Sequence, residues 1–352
     1  PSLEWGDMDQ LVLVEPGRVE LRQVPIPEPG PGEVILRIEA ALTCGTDLKT
    51  YRRGHPKFKL PMPFGHEFSG TVWALGEGVN QFKLGEPLML APTAPCGHCY
   101  YCQRQLGNLC AYTMETMIHG GYAQYVRLPR HIVATNTFIK PSGLSFLEAA
   151  LLEPLSCVVY GAQQMEFNPS SKVLIIGAGP IGLLYVALLR RYGVSQIAVL
   201  GRRERRLEAA AQLGAELIFD ESQTSRDEVE RELYRAWQTL PQVVIECTGL
   251  PSVWEEALTW AAPGGQVMFF GGCASGTTFN FPWESVLERN LTLKGAFHFT
   301  PQAVAQSYEL LASGRLSLAP LISTTLPLSQ YPTILSLLES GEYIKIGVLP
   351  QN

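Results

Sequence analysis

Two sets of residues with metal-ligand chemistry follow one another in the first half of the chain. The compact set is Cys96, Cys99, Cys102 and Cys110, in a C-x2-C-x2-C-x7-C spacing. Four thiolates close a tetrahedral shell, as a structural zinc requires. An iron–sulfur cluster uses a similar run, but its fourth cysteine follows after three residues and precedes proline, whereas Ala111 follows Cys110 here. Because four free thiols rarely crowd in this way, the spacing favours zinc.

The second set is scattered along the chain and comprises Cys44, the adjacent His66 and Glu67, and Glu153. A lone cysteine is more often a small core residue than a ligand, and a lone histidine is as often a hydrogen-bonded structural residue. Two carboxylates at the start of apolar segments, however, are costly unless they are paired or bound to metal. A mixed sulfur, nitrogen and oxygen set suits zinc and can leave a position open for a substrate oxygen. Thr46 could accept the substrate proton, although a local turn hydrogen bond also explains a threonine there.

Composition limits the function classes. The chain has 352 residues with 46% hydrophobic and 17% charged side chains and a formal net charge of −6, which is typical of a folded enzyme. No block of like charge indicates a nucleic-acid surface, and no apolar run reaches membrane-spanning length. The first residues lack a secretory pattern. We therefore expect a cytoplasmic protein with neither a nucleic-acid nor a membrane partner, whose crowded cysteines bind metal rather than form disulfides.

The pattern of elements predicts two domains of different style. Short strands and turns dominate until about residue 145, where a helix is predicted over 145–164 with a capping box at Ser145 and Glu148. Six apolar strands then alternate with helices up to Phe297, which indicates an α/β fold with a doubly wound parallel sheet. A final strand over 343–349 is expected to rejoin the first domain. The predicted boundaries are 1–158 with 298–352 for the first domain and 159–297 for the second.

A glycine-rich turn marks the candidate cofactor site. Gly177, Gly179 and Gly182 form G-x-G-x-x-G, directly after an apolar strand and at the start of a helix. In this context the motif predicts a dinucleotide whose pyrophosphate lies at the helix N-terminus. The candidate cofactor contacts are Gly177, Gly179, Pro180, Ile181, Gly182, Gly201, Arg202, Arg203, Arg206, Thr248 and Phe297.

The end of the second strand of this sheet favours NADP over NAD. An acidic residue there would bind the ribose 2′-hydroxyl of NAD, but Gly201 is followed by Arg202 and Arg203, with Arg206 further on. Cations at a helix N-terminus oppose the helix dipole, and a bound 2′-phosphate would remove that penalty. The alternatives are a solvated, charged helix start, or NAD bound through Glu204.

These motifs together resemble the zinc-dependent medium-chain dehydrogenases, the alcohol dehydrogenase family, over nearly the whole chain. The carrying motifs are Cys44-Gly45-Thr46-Asp47, Gly65-His66-Glu67, the four-cysteine lobe, Leu152-Glu153-Pro154-Leu155 and the glycine-rich turn. The two glutamates are similar to the sorbitol and polyol branch, with threonine dehydrogenases as neighbours. Histidine stands in many relatives where this chain has Lys49, and arginine stands in sorbitol dehydrogenases where it has His298.

The resemblance implies a GroES-like irregular β-barrel catalytic domain joined to a Rossmann domain. It implies two zinc ions per chain, the catalytic one held by Cys44, His66 and a glutamate, either Glu67 or Glu153 or both in alternation. The expected reaction is hydride transfer between a secondary alcohol of a polyol, sugar or cyclitol derivative and NADP, with NAD as the alternative. An amino-alcohol or simple alcohol dehydrogenase is the alternative enzyme, and a non-enzymatic nucleotide-binding relative is the remote one. A homodimer or homotetramer is also implied.

Overall fold

The computed structural model describes residues 5–352, and the chain divides into two compact units. The first unit comprises residues up to Ser156, Phe299–Gly314 and Ile322–Asn352, and the second comprises Cys157–His298 and Arg315–Leu321. The domain boundaries expected from the sequence stay predictions. Among residues 5–352, no helix has both the length and the apolar character needed to cross a membrane.

The chain begins with short strands that alternate with turns and single helical turns. In chain order the elements are β1 Asp7–Glu15, β2 Arg18–Pro25, β3 Val34–Leu42, α1 Gly45–Arg53, β4 Met62–Pro63, β5 Glu67–Leu75, β6 Pro87–Leu90, α2 Ala111–Glu115, β7 Tyr125–Leu128, α3 Arg130–Thr135, β8 Thr137–Ile139, α4 Phe146–Ala149 and α5 Leu152–Gln163. Three of these strands form an antiparallel sheet in the order β2-β1-β4.

The prediction of one helix over 145–164 is wrong in one respect, because the structure divides this segment into α4 and α5. Pro154 has no N–H to donate to the carbonyl of Ala150, and its ring would clash with that carbonyl in a continuous helix. The chain therefore turns at Ala150, and the Leu155 N–H donates to Leu151 at 3.0 Å. Ser145 does cap α4, since its hydroxyl accepts from the Glu148 N–H at 3.1 Å.

The second unit contains the predicted doubly wound parallel sheet. Its six strands all pair in parallel in the order β11-β10-β9-β12-β13-β14, the strand order of a dinucleotide-binding fold. The elements are β9 Lys172–Ile176, α6 Pro180–Arg191, β10 Gln196–Gly201, α7 Glu204–Gln212, β11 Leu217–Asp220, α8 Arg226–Trp237, β12 Val243–Glu246, α9 Pro251–Trp260, β13 Gln266–Phe269, α10 Trp283–Glu288 and β14 Thr292–Gly295. The inner strands are buried on both faces and read as continuous apolar runs.

The last part of the chain completes the larger sheet of the first unit. Its elements are α11 Pro301–Ala312, β15 Ile322–Pro327, α12 Tyr331–Ser340 and β16 Lys345–Leu349. This sheet has the order β15-β16-β3-β5-β6-β8, with β7 also paired to β3. Leu36, Ile38 and Phe68 lie in its apolar core. Single 3₁₀ turns occur at Cys102–Arg104, Gly107–Leu109, Ala319–Leu321 and Leu328–Gln330.

Candidate active site

Strand β3 positions the scattered metal-ligand residues. Its last residue, Leu42, is opposite Glu67 at the start of β5 and opposite Gly347 of β16. Two residues later Cys44 is the N-cap of α1, where its Sγ accepts from the Thr46 N–H at 3.4 Å. The register of three strands therefore brings residues more than 20 positions apart to the same end of the sheet.

Cys44, His66 and Glu67 each offer a ligand atom, and these atoms lie within 4.8 Å of one another. His66 and Glu67 are buried, and Glu67 Oε1 has no hydrogen-bond partner among the described residues. An unsatisfied buried carboxylate oxygen is costly unless a cation binds it. The sulfur, nitrogen and oxygen donors present therefore fit the zinc that the motifs imply.

Asp47 orients His66, a role that the sequence did not reveal. The His66 Nδ1 lies 3.1 Å from Asp47 Oδ1, while Asp47 Oδ2 accepts from the Cys44 N–H at 3.1 Å and from the Tyr122 hydroxyl. A proton held on Nδ1 leaves Nε2 as the metal-binding nitrogen. Burial opposes the charge of Asp47, but His66, Tyr122 and the Cys44 N–H hold the pKa of this carboxyl below its usual range. The sequence feature that could have identified this role of Asp47 is the C-x-x-D spacing that starts at Cys44.

Lys345 is the second residue that the sequence analysis missed. Its Nζ lies 2.5 Å from Glu67 Oε2 and donates to the Thr43 carbonyl at 3.0 Å, and both members of the pair are buried. Burial acts to lower the pKa of Lys345, but the charges of Glu67 and Cys44, with a smaller effect from Glu153, raise it above its usual value. One charged lysine in an otherwise apolar predicted strand was the only sequence signal.

The other two residues predicted for the catalytic site, Thr46 and Glu153, lie in helices α1 and α5. Thr46 is half-buried in the first turn of α1, beside Cys44. Glu153 is buried in the first turn of α5, outside the group of three donors formed by Cys44, His66 and Glu67. The choice between Glu67 and Glu153 as zinc ligand stays a prediction, and the geometry favours Glu67.

The compact cysteine set forms a second donor cluster. The four thiols lie within 4.8 Å of one another, with Cys102 Sγ 3.9 Å from Cys96 Sγ and 3.5 Å from Cys99 Sγ. A tetrahedral zinc with Zn–S bonds of about 2.3 Å separates its sulfurs by roughly 3.8 Å, and these two Sγ–Sγ distances are close to that value. None of the eight cysteines, all within residues 5–352, forms a disulfide.

The glycine-rich turn has the close approaches that its glycines allow. Gly177 has φ +107°, and a Cβ there would lie 3.0 Å from Thr248 Cγ2. A Cβ on Gly182 would lie 2.0 Å from the Gly177 carbonyl oxygen, so α6 packs directly on the turn. Gly179 is the N-cap of α6 and provides no side-chain cap. The first N–H groups of the helix can therefore receive a phosphate, and the turn fits a dinucleotide.

Only some of the residues predicted to contact NADP lie near this turn. The nearest atom to a Cβ built on Gly179 is Arg206 Nη1, at 3.9 Å. Arg203 is the N-cap of α7, whereas the Arg202 Nε is 2.8 Å from Glu221 Oε2 in an exposed salt bridge. Phe297 is 43% exposed beyond the end of β14.

Glu246, at the end of β12, supports the turn against which Gly177 packs, and the sequence analysis did not identify it. Its fully buried Oε1 accepts from the Thr248 N–H at 2.6 Å, from the Thr248 hydroxyl and from the Gly249 N–H at 3.1 Å. Burial raises the pKa of Glu246 although these donors act to lower it. The carboxylate therefore determines the conformation of residues 247–249 beside the glycine-rich turn.

We expect Glu246→Gln to weaken dinucleotide binding. Glu246 Oε2 is 3.3 Å from the Gly249 N–H. If the amide NH₂ of glutamine takes the position of Oε2, it places a donor against this N–H where the carboxylate has an acceptor. An unsatisfied buried donor costs about 1–3 kcal/mol, so we expect the dissociation constant to rise about tenfold. Fluorescence titration with reduced cofactor measures it. Glu232→Gln, which loses only an exposed contact to Arg235, is the control, and equal affinity in both variants would contradict this role.

Comparison with known proteins agrees with this architecture. The alcohol dehydrogenase GroES-like domain family matches residues 30–137, and the zinc-binding dehydrogenase family matches residues 180–313. Sorbitol dehydrogenase of Homo sapiens is 30% identical over 342 residues, which cover 96% of this chain and 94% of that protein.

Two solved structures have the same fold over nearly the whole chain. A zinc-binding dehydrogenase from Sinorhizobium meliloti 1021 bound to NADP is 29% identical with a TM-score of 0.87, covering 98% of this chain and 100% of that chain. The short chain alcohol dehydrogenase RspB of Escherichia coli CFT073, in complex with NADH, is 26% identical with a TM-score of 0.85, covering 98% and 99%. From the two domain matches, the full-length relative and the two donor clusters, we conclude that this chain belongs to the zinc-dependent alcohol dehydrogenase family, the medium-chain dehydrogenases that its motifs resemble.

Proposed function

We propose that this protein transfers hydride between the secondary hydroxyl of a polyol or sugar derivative and a nicotinamide cofactor. The observation that carries the proposal is the convergence of Cys44, His66 and Glu67 within 4.8 Å. Three different donors from two separate segments can leave a coordination position for substrate, which a four-thiolate set does not. The similarity to human sorbitol dehydrogenase supports a polyol as the substrate class.

Each residue of the site has a definite part in this proposal. Zinc bound by Cys44, His66 and Glu67, with Glu153 as the alternative carboxylate, would lower the pKa of a substrate hydroxyl, and a bound nicotinamide would accept the hydride. The Thr46 hydroxyl would take up the proton that the substrate releases and pass its own proton on to solvent. Asp47 holds the His66 ring in one orientation through the Nδ1 contact of 3.1 Å. Lys345 balances the buried charge of Glu67.

We propose two zinc ions per chain, one in each donor cluster, with NADP as the favoured nicotinamide. Gly177, Gly179, Pro180, Ile181 and Gly182 would hold the pyrophosphate, with Gly201, Thr248 and Phe297 lining the remaining cofactor surface. The proximity of Arg206 to Gly179 supports a phosphate partner. NAD remains the alternative, because Glu221 already pairs with Arg202.

The arginines provide a direct test of the cofactor. If they bind a 2′-phosphate, Arg202→Ala/Arg203→Ala should weaken NADP about 10- to 100-fold, since hydrogen bonds to charged groups contribute about 1.5–3 kcal/mol each, and leave NAD nearly unchanged. Titration with both cofactors gives the ratio. Arg191→Ala, an exposed change at the other end of α6, is the control. An unchanged ratio of the two affinities would refute the contact.

We also propose a homo-oligomer, a dimer or a tetramer, in the cytoplasm. Strand β14 is an edge of the parallel sheet and is largely exposed. The neighbouring Phe281, Trp283 and Leu287 are 48%, 59% and 68% exposed. An unpaired edge beside apolar side chains favours self-association. Light scattering of the purified protein measures the mass, and a monomer at micromolar concentration would contradict the proposal.

The decisive experiment for the reaction follows reduced nicotinamide by its absorbance. The purified protein is mixed with each cofactor and with polyols, sugars, amino alcohols and simple alcohols, with and without a chelator. Chelator-sensitive turnover of polyols supports the proposal, whereas turnover of amino alcohols or simple alcohols alone replaces the substrate class. No turnover with two zinc ions per chain means that the substrate class is wrong. No turnover with zinc in the cysteine lobe alone favours a non-enzymatic relative.

A further inference from the structure

A dense run of cations follows the first zinc-ligand candidate, and the proposed reaction does not use it. The basic segment consists of Lys49, Arg52, Arg53, Lys57 and Lys59, five of the 27 lysines and arginines within 11 residues. No aspartate or glutamate occurs between residues 48 and 66, in a chain whose net charge is −6. Cations near the C-terminus of α1 complement the helix dipole, but that effect does not account for Lys57 and Lys59, which lie beyond the helix end at Arg53.

Aromatic contacts connect this segment to the metal-ligand residues within the first unit. The rings of His55 and Phe58 are stacked with centroids 4.0 Å apart, and Phe58 makes an edge contact of 4.6 Å with His119. The Gly120 N–H, next to His119, donates to the carbonyl of Gly65, the residue before His66, at 2.9 Å. Burial first, and then the charge of His66, lower the pKa of His119 to about 4. The residues after α1 therefore lie beside the proposed zinc site rather than away from it.

Arg53 and Lys57 are the members of the basic segment that lie near His55. Burial, followed by the charges of Lys57 and Arg53, lowers the pKa of His55. The Lys57 N–H donates to His55 Nδ1 at 3.2 Å, which leaves the ring proton on Nε2. The residues around His55 thus offer two cations and an imidazole N–H as donors. A carboxylate or a phosphate, with several acceptor oxygens and negative charge, matches these donors better than a neutral hydroxyl does.

We propose that the substrate is anionic, a polyol or sugar derivative whose carboxylate or phosphate is bound by Arg53 and Lys57 while its reacting hydroxyl lies at Cys44 and His66. This inference rests on the proposed dehydrogenase function and specifies its substrate class. It also makes the reaction sensitive to salt, because the attraction between exposed charges is screened as the ionic strength rises.

The test compares one neutral polyol with two charged derivatives: D-glucitol, D-gluconate and D-glucitol 6-phosphate. Isothermal titration of the zinc-loaded protein measures binding without requiring turnover, and steady-state kinetics then separate KM from kcat. We expect at least one charged derivative to bind about tenfold or more tightly than D-glucitol, as one hydrogen bond to a charged group allows. Comparing gluconate with the phosphate distinguishes which anion the site prefers.

A matched pair of variants separates specific contact from general charge. Arg53→Gln/Lys57→Gln should remove the advantage of the charged derivative, raising its KM about tenfold with little change in kcat or in the KM of D-glucitol. Arg52→Gln removes one positive charge from the same helix, but Arg52 faces Glu339 at 3.7 Å. We expect it to leave the ratio of anionic to neutral affinity unchanged.

Two results would overturn the inference. One is that neither charged derivative binds more tightly than D-glucitol. The other is that the double variant and Arg52→Gln alter all three ligands alike. If D-glucitol or another neutral polyol is turned over while the anions have no advantage, the proposed function stands and only the anionic substrate is rejected. If no hydroxyl substrate of any class is turned over, the proposed function itself fails.

Discussion

Replacing Cys44 by serine is expected to lower kcat/KM by about a thousandfold or more while leaving the fold intact. A Lewis acid contributes several kcal/mol of transition-state stabilisation, and each 1.36 kcal/mol corresponds to a factor of ten in rate. Cys44 is half-buried at a helix N-cap, where serine also caps well. The measurement is steady-state kinetics together with zinc content, which we expect to fall from two ions per chain to one.

A matched cysteine tests whether this loss is specific to Cys44. Cys273→Ser makes the same chemical change at a half-buried cysteine that belongs to neither of the two donor clusters described above. We expect it to retain zinc content and activity. Normal activity of Cys44→Ser on a substrate that the wild-type protein oxidises would reject the assignment of the catalytic zinc to this residue.

Replacing Lys345 by methionine is expected to destabilise the protein strongly. The side chains of Lys345 and Glu67 are 1% and 0% exposed, and Lys345 Nζ donates to Glu67 Oε2 at 2.5 Å. Removing Lys345 leaves Glu67 Oε2 without its donor, and loss of one partner of a buried pair costs about 3–5 kcal/mol. Urea unfolding of the zinc-loaded protein, where it is reversible, gives the free energy of unfolding. Lys83→Met, at an exposed position of the first unit, should change it by no more than about 0.5 kcal/mol.

A double-mutant cycle gives the coupling between the two charges. Glu67→Gln/Lys345→Met should recover part of the stability that Lys345→Met loses, because it removes the unpaired carboxylate. The pKa of Lys345 is raised above its usual 10.5, so while Glu67 is ionised the stability that the Lys345 charge contributes should be complete below that pH and be lost as the pH rises through the higher folded value. If Lys345→Met were as stable as the wild-type protein, the pair would have no structural role.

Much of the architecture could be predicted from local patterns. The six parallel strands and the glycine-rich turn are confirmed, because a buried strand, a turn and a helix start are encoded within about ten consecutive residues. The exception is the helix predicted over 145–164. Its apolar periodicity continues through Ala150, but the missing N–H of Pro154 divides it. The backbone restriction of one proline therefore outweighed the helical periodicity of the apolar residues around it.

The sequence by itself determined which residue types are available for chemistry: a compact four-cysteine lobe, a scattered donor set and a dinucleotide turn. Only the tertiary structure decided how the scattered residues meet. Glu67 and Lys345 are 278 positions apart, and they form a pair because β5 and β16 approach the same end of β3. The tertiary structure likewise brings Cys44, His66 and Tyr122 into contact with the Asp47 carboxylate. Spacing within one element follows from local backbone geometry, whereas contacts between distant strands depend on sheet register and on burial that the whole fold creates.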